Sequence, residues 1–201
     1  MQALELAPGL YRWTAPHPDW GPHDEWEQSI GCVLYELEGE VALIDPLLPR
    51  DEREQALAWL DRAIAGRTVS ILTTIRWHSR DRRLLAERYR GQTTRAWNAV
   101  PAGVVPRWLR GAGEIVFWLP RVASLVPGDS LIGDPEGGLR LCPADWLKDE
   151  RVDLEGLAVR LEPLLELPVE KVLVSHGEPV LSDGRAALLH AIELARQPQR
   201  A

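Results

Sequence analysis

The stretch "ILTTIRWHSRDRRLLAERY", residues 71–89, opens as an apolar run and closes as a helix. Its first residues, with "TVS" just before them, read as a buried strand rich in β-branched side chains. Its last nine, together with Arg90, read as a helix ended by Gly91. Between the two lies "TTIRWHSRD", a polar turn carrying Trp77, His78, Arg76, Arg80 and Asp81. A strand that delivers ionisable groups into a turn just before a helix marks the place where α/β proteins put their ligand sites.

Working outward, "GLYRWTAP" reads as a strand, and "HPDWGPHDEWEQ" as a loop broken by Pro, Gly and Asp. "GCVLYELEG" and "EVALIDPLLP" form a hairpin whose second strand stops at Asp45-Pro46. Residues 51–65 place Ala56, Leu57, Leu60 and Ile64 on one helical face, and Gly66 ends that helix. Downstream, "TTRAWNAV" reads as a short strand and "PAGVVPRWLRGAG" as a loop. "EIVFWLP", "ASLVPGDSLIGD" and "GLRLCP" then read as consecutive strands of a second sheet. "LEGLAVRLEPLLEL" is helical up to Pro168, "VEKVLVSHGEPVL" is a strand running into Ser175-His176-Gly177, and "DGRAALLHAIELARQ" is a closing helix. This order fits two packed sheets with helices outside, a four-layer αββα sandwich, formed by residues 1–201 as one domain.

The bulk properties exclude several classes. A net charge of -7 lacks the basic face that phosphate neutralisation needs, so no nucleic-acid partner is expected. No apolar run reaches bilayer length and the N-terminus lacks a secretory signal pattern, so no membrane partner is expected either. Cys32 and Cys142 stand far apart in apolar contexts, the pattern of buried free thiols in a reducing cytoplasm. Nine Trp against one Phe is unusual; because each indole N–H needs a partner, several are expected to line a half-polar cleft. No G-x-S-x-G is present and neither Cys has a neighbouring His, so nucleophilic catalysis has no support.

Four polar sets stand at apolar strand ends: Asp45, the cluster Arg76–Asp81, Asp129 after "LVPG", and His176 after "VLVS". Taken singly, each is readable as a turn former or a loop-bonding side chain. Together they are what a metal or acid–base site assembled from separated strand ends requires. His17 and His23, in the Pro-rich loop, match no strong metal spacing, and His190 reads as packing in the last helix.

"VALIDPLLP", "ILTTIRWHSRD", "ASLVPGDSLIGD" and "KVLVSHGEPV" occur in the order and spacing of the metallo-β-lactamase superfamily, and the chain resembles it over roughly residues 9–195. The resemblance implies the αββα fold and a hydrolase of lactams, thioesters, esters or phosphodiesters using one or two metal ions. Asp129 is similar to the family's bridging aspartate, His176 to its late histidine, and Asp45 to a structural aspartate. The H-x-H-x-D-H motif departs: without gaps, Ile75, Trp77, Ser79 and Arg80 stand at ligand positions and His78 at a non-ligand one. The "GHTPG"-like loop resembles "LRGAGEIVF", with Arg110 or Ala112 in the ligand place.

The resulting expectation is a metal centre stripped of most ligands, with Arg80 paired to Asp129 where the ion would sit. No cofactor is then expected. The cleft would bind a small anionic molecule through His17, Trp77, Arg80 and Arg110, with His78, Asp129 and His176 as candidate catalytic groups. The alternative is a rebuilt mononuclear site, taking zinc or iron, from Asp129, His176 and a third ligand among His78, His17 and His23. A third reading is a non-catalytic homodimer associating through exposed Trp.

Overall fold

The computed structural model describes residues 2–94, 100–147 and 152–197. An antiparallel meander comes first: β1 (Leu4–Ala7), β2 (Leu10–Pro16), β3 (Ser29–Glu36) and β4 (Glu40–Ile44). Helix α1 (Arg53–Ile64) then returns the chain so that β5 (Thr68–Leu72) lies parallel to β4. Helix α2 (Arg82–Tyr89) does the same for β6 (Gln92–Thr94), completing a six-stranded sheet in sequential order. Parallel neighbours need such crossovers, and these two leave the ends of β4 and β5 side by side.

The second sheet has four strands: β7 (Val105–Leu109), β8 (Glu114–Leu119), β9 (Ser124–Val126) and β12 (Lys171–Val172), in the order β12-β9-β8-β7. Leu10, Val33, Tyr35, Ile44 and Leu72 of the first sheet pack on Ile115, Phe117, Leu119 and Val126 of the second, forming the inner core. On the outer face of the first sheet, Ala56, Leu60 and Ile64 of α1 and Leu85 of α2 are buried. On the outer face of the second lie α3 (Leu154–Leu161) and α4 (Gly184–Ala195), through Leu157, Leu161, Leu188 and Ile192. The layers are therefore α, β, β, α. All six β8 residues are buried because both faces of this strand are covered.

Four local readings change. The loop expected over 101–113 contains β7; it is an edge strand, where the missing N–H of Pro106 costs no ladder bond. β10 (Leu131–Gly133) and β11 (Leu139–Leu141) leave the second sheet and form their own hairpin. The Gly133 N–H donates to His176 O at 2.9 Å, and a Cβ at Gly133 would lie 2.4 Å from the Glu178 carbonyl. That close approach lodges the hairpin against the His176 loop. The helix expected up to Pro168 tightens after Leu161 into a 3-10 turn, Glu162–Glu166, because Pro163 cannot continue the α-helical ladder. The last sheet strand ends at Val172, and Leu173 continues only by its N–H bond to Leu125 O. Of the strand expected over 93–100, Thr93–Thr94 lie in β6 and Val100 lies in no strand; residues 95–99 lie outside the described residues.

Candidate metal centre

The ends of β4, β5, β9 and β12 feed one cleft. Asp45, directly after β4, sits in the left-handed region at φ 48°. Its Oδ1 accepts the Thr74 N–H at 2.9 Å, and its Oδ2 accepts the Thr74 hydroxyl and lies 2.9 Å from His78 Nδ1. One buried carboxylate thus ties the end of β4 to the turn after β5 and fixes the imidazole of that turn.

The turn itself is a single 3-10 turn, Arg76–Ser79, and it carries His78 inward until only 3% of the residue is exposed. His78 Nε2 comes within 3.0 Å of Asp129 Oδ1, and His176 Nε2 within 3.5 Å of the same oxygen. One ligand atom from each of His78, Asp129 and His176 lies within 4.8 Å of the others. Asp129 Oδ2 accepts the Trp77 indole N–H. Oδ1 is buried between the two imidazoles, yet no hydrogen bond of normal alignment reaches it. The three ligand atoms are grouped closely enough to hold a metal ion. His78 also has the carboxylate partner on its far nitrogen that metal-ligating histidines usually carry. His176 Nδ1 has no such partner; instead its ring stands between Trp26 and Trp146, with centroids at 5.2 and 5.4 Å.

With no ion bound, electrostatics favour a proton on His78. Burial and the nearby Arg80 lower its pKa, but the Asp129 and Asp45 carboxylates outweigh both and raise it to about 9. Asp129 is buried, which alone would raise it, but the two imidazoles hold it well below the usual carboxylate range. The folded pKa of His78 exceeds its unfolded value, so this stabilisation is complete below about pH 6.5 and disappears as pH rises through 9. Metal-free protein is therefore expected to lose about 3 kcal/mol of unfolding free energy between roughly pH 6 and pH 10. Urea titrations in chelator would read this, and His78→Gln should flatten the dependence.

Beneath Asp129 lies a residue that the motif reading passed over. Glu114, the first residue of β8, is 1% exposed. Its carboxylate accepts the Gly128 N–H at 2.8 Å, the Ser130 N–H at 2.9 Å and the Ser130 hydroxyl at 2.6 Å. It therefore grips the backbone on both sides of Asp129. The Ile115 N–H donates to Thr74 O at 2.8 Å, so the same strand end also braces the His78 turn. Burial, helped by the nearby Asp129 charge, pushes the Glu114 carboxyl up to about 7 against the opposing pull of these three donors. A lone carboxylate heading the apolar run "EIVFWL" was the available signal.

The structure overturns the expected Arg80–Asp129 pair. Arg80 Nη1 donates to the carbonyls of Asp45 (2.9 Å) and Gly31 (3.3 Å), and Nη2 donates to Ser175 Oγ (2.8 Å). Its backbone φ of 35° turns the side chain along the strand ends, where carbonyls accept it, and His78 takes the place facing Asp129. His78, at a non-ligand position of the ungapped motif, is carried inward by the 3-10 turn and faces Asp129. Trp77 does reach the site, through its N–H on Asp129. His17 lines the cleft 5.2 Å from the Trp26 ring but stands outside the ligand cluster. Arg110 is exposed in the β7–β8 turn and lines no part of the cleft; its carbonyl accepts from Arg160 Nε. His23 is exposed, and so is His190, which the sequence reading had placed in the packing. Cys32 and Cys142 are buried free thiols. Among the described residues, no helix is long and apolar enough to cross a membrane.

The cleft has a volume of about 670 Å³. Besides the cluster its walls include Trp26, Trp77 and Trp146, and the arginines Arg50, Arg53 and Arg80.

No family model and no curated protein matches the sequence. Solved structures match over nearly the whole chain. The DIM-1 metallo-β-lactamase superposes with a TM-score of 0.67 at 14% identity, covering 96% of both chains. A metallo-β-lactamase from Erythrobacter litoralis gives 0.67 at 18% identity, covering 96% of this chain and 91% of its own. A metallo-β-lactamase family protein from Thermus thermophilus gives 0.56 at 20% identity, covering 94% and 80%. With its layer order, its strand-end cleft and these superpositions, the chain has the metallo-β-lactamase fold.

Proposed function

We propose that the protein is a mononuclear metal-dependent hydrolase of small esters, thioesters or lactams, with one divalent ion held by His78, Asp129 and His176. The observation that carries this is the convergence of three ligand atoms within 4.8 Å, with the Asp45 carboxylate on the far side of His78. Three protein ligands leave room for water, the usual composition of a catalytic site, and two imidazoles with one carboxylate suit zinc or ferrous iron. An ion bound there supplies Lewis-acid polarisation and a lowered pKa for water. The chain's own residues do the positioning. Asp45 accepts the Nδ1 proton of His78 and so presents Nε2 to the cluster. Trp77 occupies Asp129 Oδ2 and leaves Oδ1 facing the two histidines. The indoles of Trp26 and Trp146 hold the His176 ring and keep bulk water from it.

One observation favours a second reading. The 3.0 Å approach of His78 Nε2 to Asp129 Oδ1 also suits an imidazolium–carboxylate pair, in a metal-free cleft that only binds a small anion. Elemental analysis of protein purified without chelator separates the two. About one zinc, iron or manganese per chain, lost in His176→Ala, supports the hydrolase; absence of metal after dialysis against each ion leaves the binding protein. Asp45→Asn is a second check. It should weaken metal binding by about 10- to 100-fold, because the imidazole loses the partner that orients it and raises its basicity. Competition with a chromophoric chelator measures this, and an unchanged affinity would detach Asp45 from the site.

A further inference from the structure

Among the described residues, two guanidinium groups on the cleft wall form no ion pair with a carboxylate. Arg80 is bound by two carbonyls and a hydroxyl, all uncharged. Arg50 is exposed, and among the described residues no hydrogen bond or ion pair engages it. Its neighbour Arg53 differs, since Asp81 matches it at 2.7 Å. Arg50 is not carried by a loose segment. The three residues before it, Leu47, Leu48 and Pro49, are buried. The Leu47 N–H donates to Cys32 Sγ at 3.3 Å, and the Leu48 N–H to Asp81 Oδ2 at 2.7 Å. The cleft therefore carries an uncommitted, permanently charged group on an anchored backbone, the arrangement that captures a carboxylate by paired N–H bonds.

The other notable wall material is aromatic. Trp26 and Trp146 stand nearly edge-on to the His176 ring, at interplanar angles of 82° and 69°. Trp77, held by Asp129, is still 40% exposed. Three indoles from separate loops thus sit within one ring of the candidate ligands. A flat apolar molecule offers them stacking or edge contacts that an aliphatic chain does not. The cavity volume of about 670 Å³ is that of a small-molecule site.

We propose that the cleft selects small planar-ring acids, aryl or heteroaryl substrates carrying one carboxylate, and that Arg50 is the specificity residue for the acid group. This rests on the reading of the cleft as the substrate site. It differs from the sequence expectation, which gave anion binding to Arg80 and Arg110.

Calorimetric titration of metal-free and zinc-loaded protein tests it, with 4-nitrobenzoate, its neutral isostere 4-nitrobenzamide, and hexanoate as a ringless acid. Wild type should bind 4-nitrobenzoate about tenfold more tightly than either other probe in both forms. In the metal-free form, Arg50→Ala, a surface change, should erase the margin over the benzamide while leaving benzamide binding as it was, and 0.5 M salt should shrink that margin. Equal binding of benzoate and benzamide by wild type, or a metal-free Arg50→Ala protein that keeps the margin, overturns the acid subsite. Hexanoate binding as well as nitrobenzoate overturns the planar-ring half. The metal-free arm keeps the two readings apart. An Arg50-dependent margin without any metal binding sinks the hydrolase and leaves the acid site, whereas zinc binding without the margin sinks this proposal alone.

Discussion

Asp129→Ala should lose stoichiometric metal and all metal-dependent hydrolysis. Asp129 is the only carboxylate in the cluster, and its Oδ1 is the atom that both imidazoles approach. Without it two histidines remain, fewer than the three protein ligands that a catalytic zinc takes. Metal affinity should fall by at least about 1000-fold, since an anionic ligand also neutralises the ion's charge in a buried site. The folded state should weaken as well, by about 2–4 kcal/mol in chelator near pH 6, because buried His78⁺ loses one of its two carboxylates. Asp129→Asn separates these effects: it retains the shape and an acceptor for Trp77 but removes the charge. Chelator competition and urea unfolding on both variants read the outcome. Full metal content in Asp129→Ala would mean that the ion is held elsewhere and that the cluster is an ion-pair network.

The second large effect is expected at Glu114. Glu114→Ala removes the acceptor of three buried donors, the Gly128 and Ser130 amides and the Ser130 hydroxyl. Stranded buried donors cost about 1–3 kcal/mol each, partly offset where water enters the vacated space and by no longer burying a carboxylate. A net loss of about 3–5 kcal/mol is expected by urea unfolding, which for a domain of this size is a large part of its stability. Glu114→Gln should cost less, yet its amide must turn an N–H₂ toward one of those donors. If Glu114→Gln folds normally but its metal affinity drops, the residue acts through the position of Asp129. If stability and affinity are both unchanged, the carboxylate does not hold the loop.

The sequence carried the architecture through patterns that are local and periodic. Apolar runs ending on Asp45, the Arg76–Asp81 cluster, Asp129 and His176 marked strand ends, and the 3.6-residue spacing of Ala56, Leu60 and Ile64 marked a helix against a sheet. Burial then forces the layers, because each apolar face has one place to go. Asp45, Asp129 and His176 were legible for the same reason: a polar residue at the end of a buried strand has only the cleft to face.

What the tertiary structure decided was direction. Whether His78 or Arg80 faces Asp129 depends on one 3-10 turn and on an Asp45 carboxylate supplied from 33 residues away in the chain. Arg80, a long side chain with five donors, found carbonyls from Gly31 and Asp45 before it could reach the aspartate. Glu114 and Trp146 gained their roles only when β8 and the segment after β11 were brought beneath and beside the two ligand loops. Hydrophobic periodicity is written along the chain. The partner of a buried polar atom is set by long-range contacts and by hydrogen-bond directions that no spacing encodes.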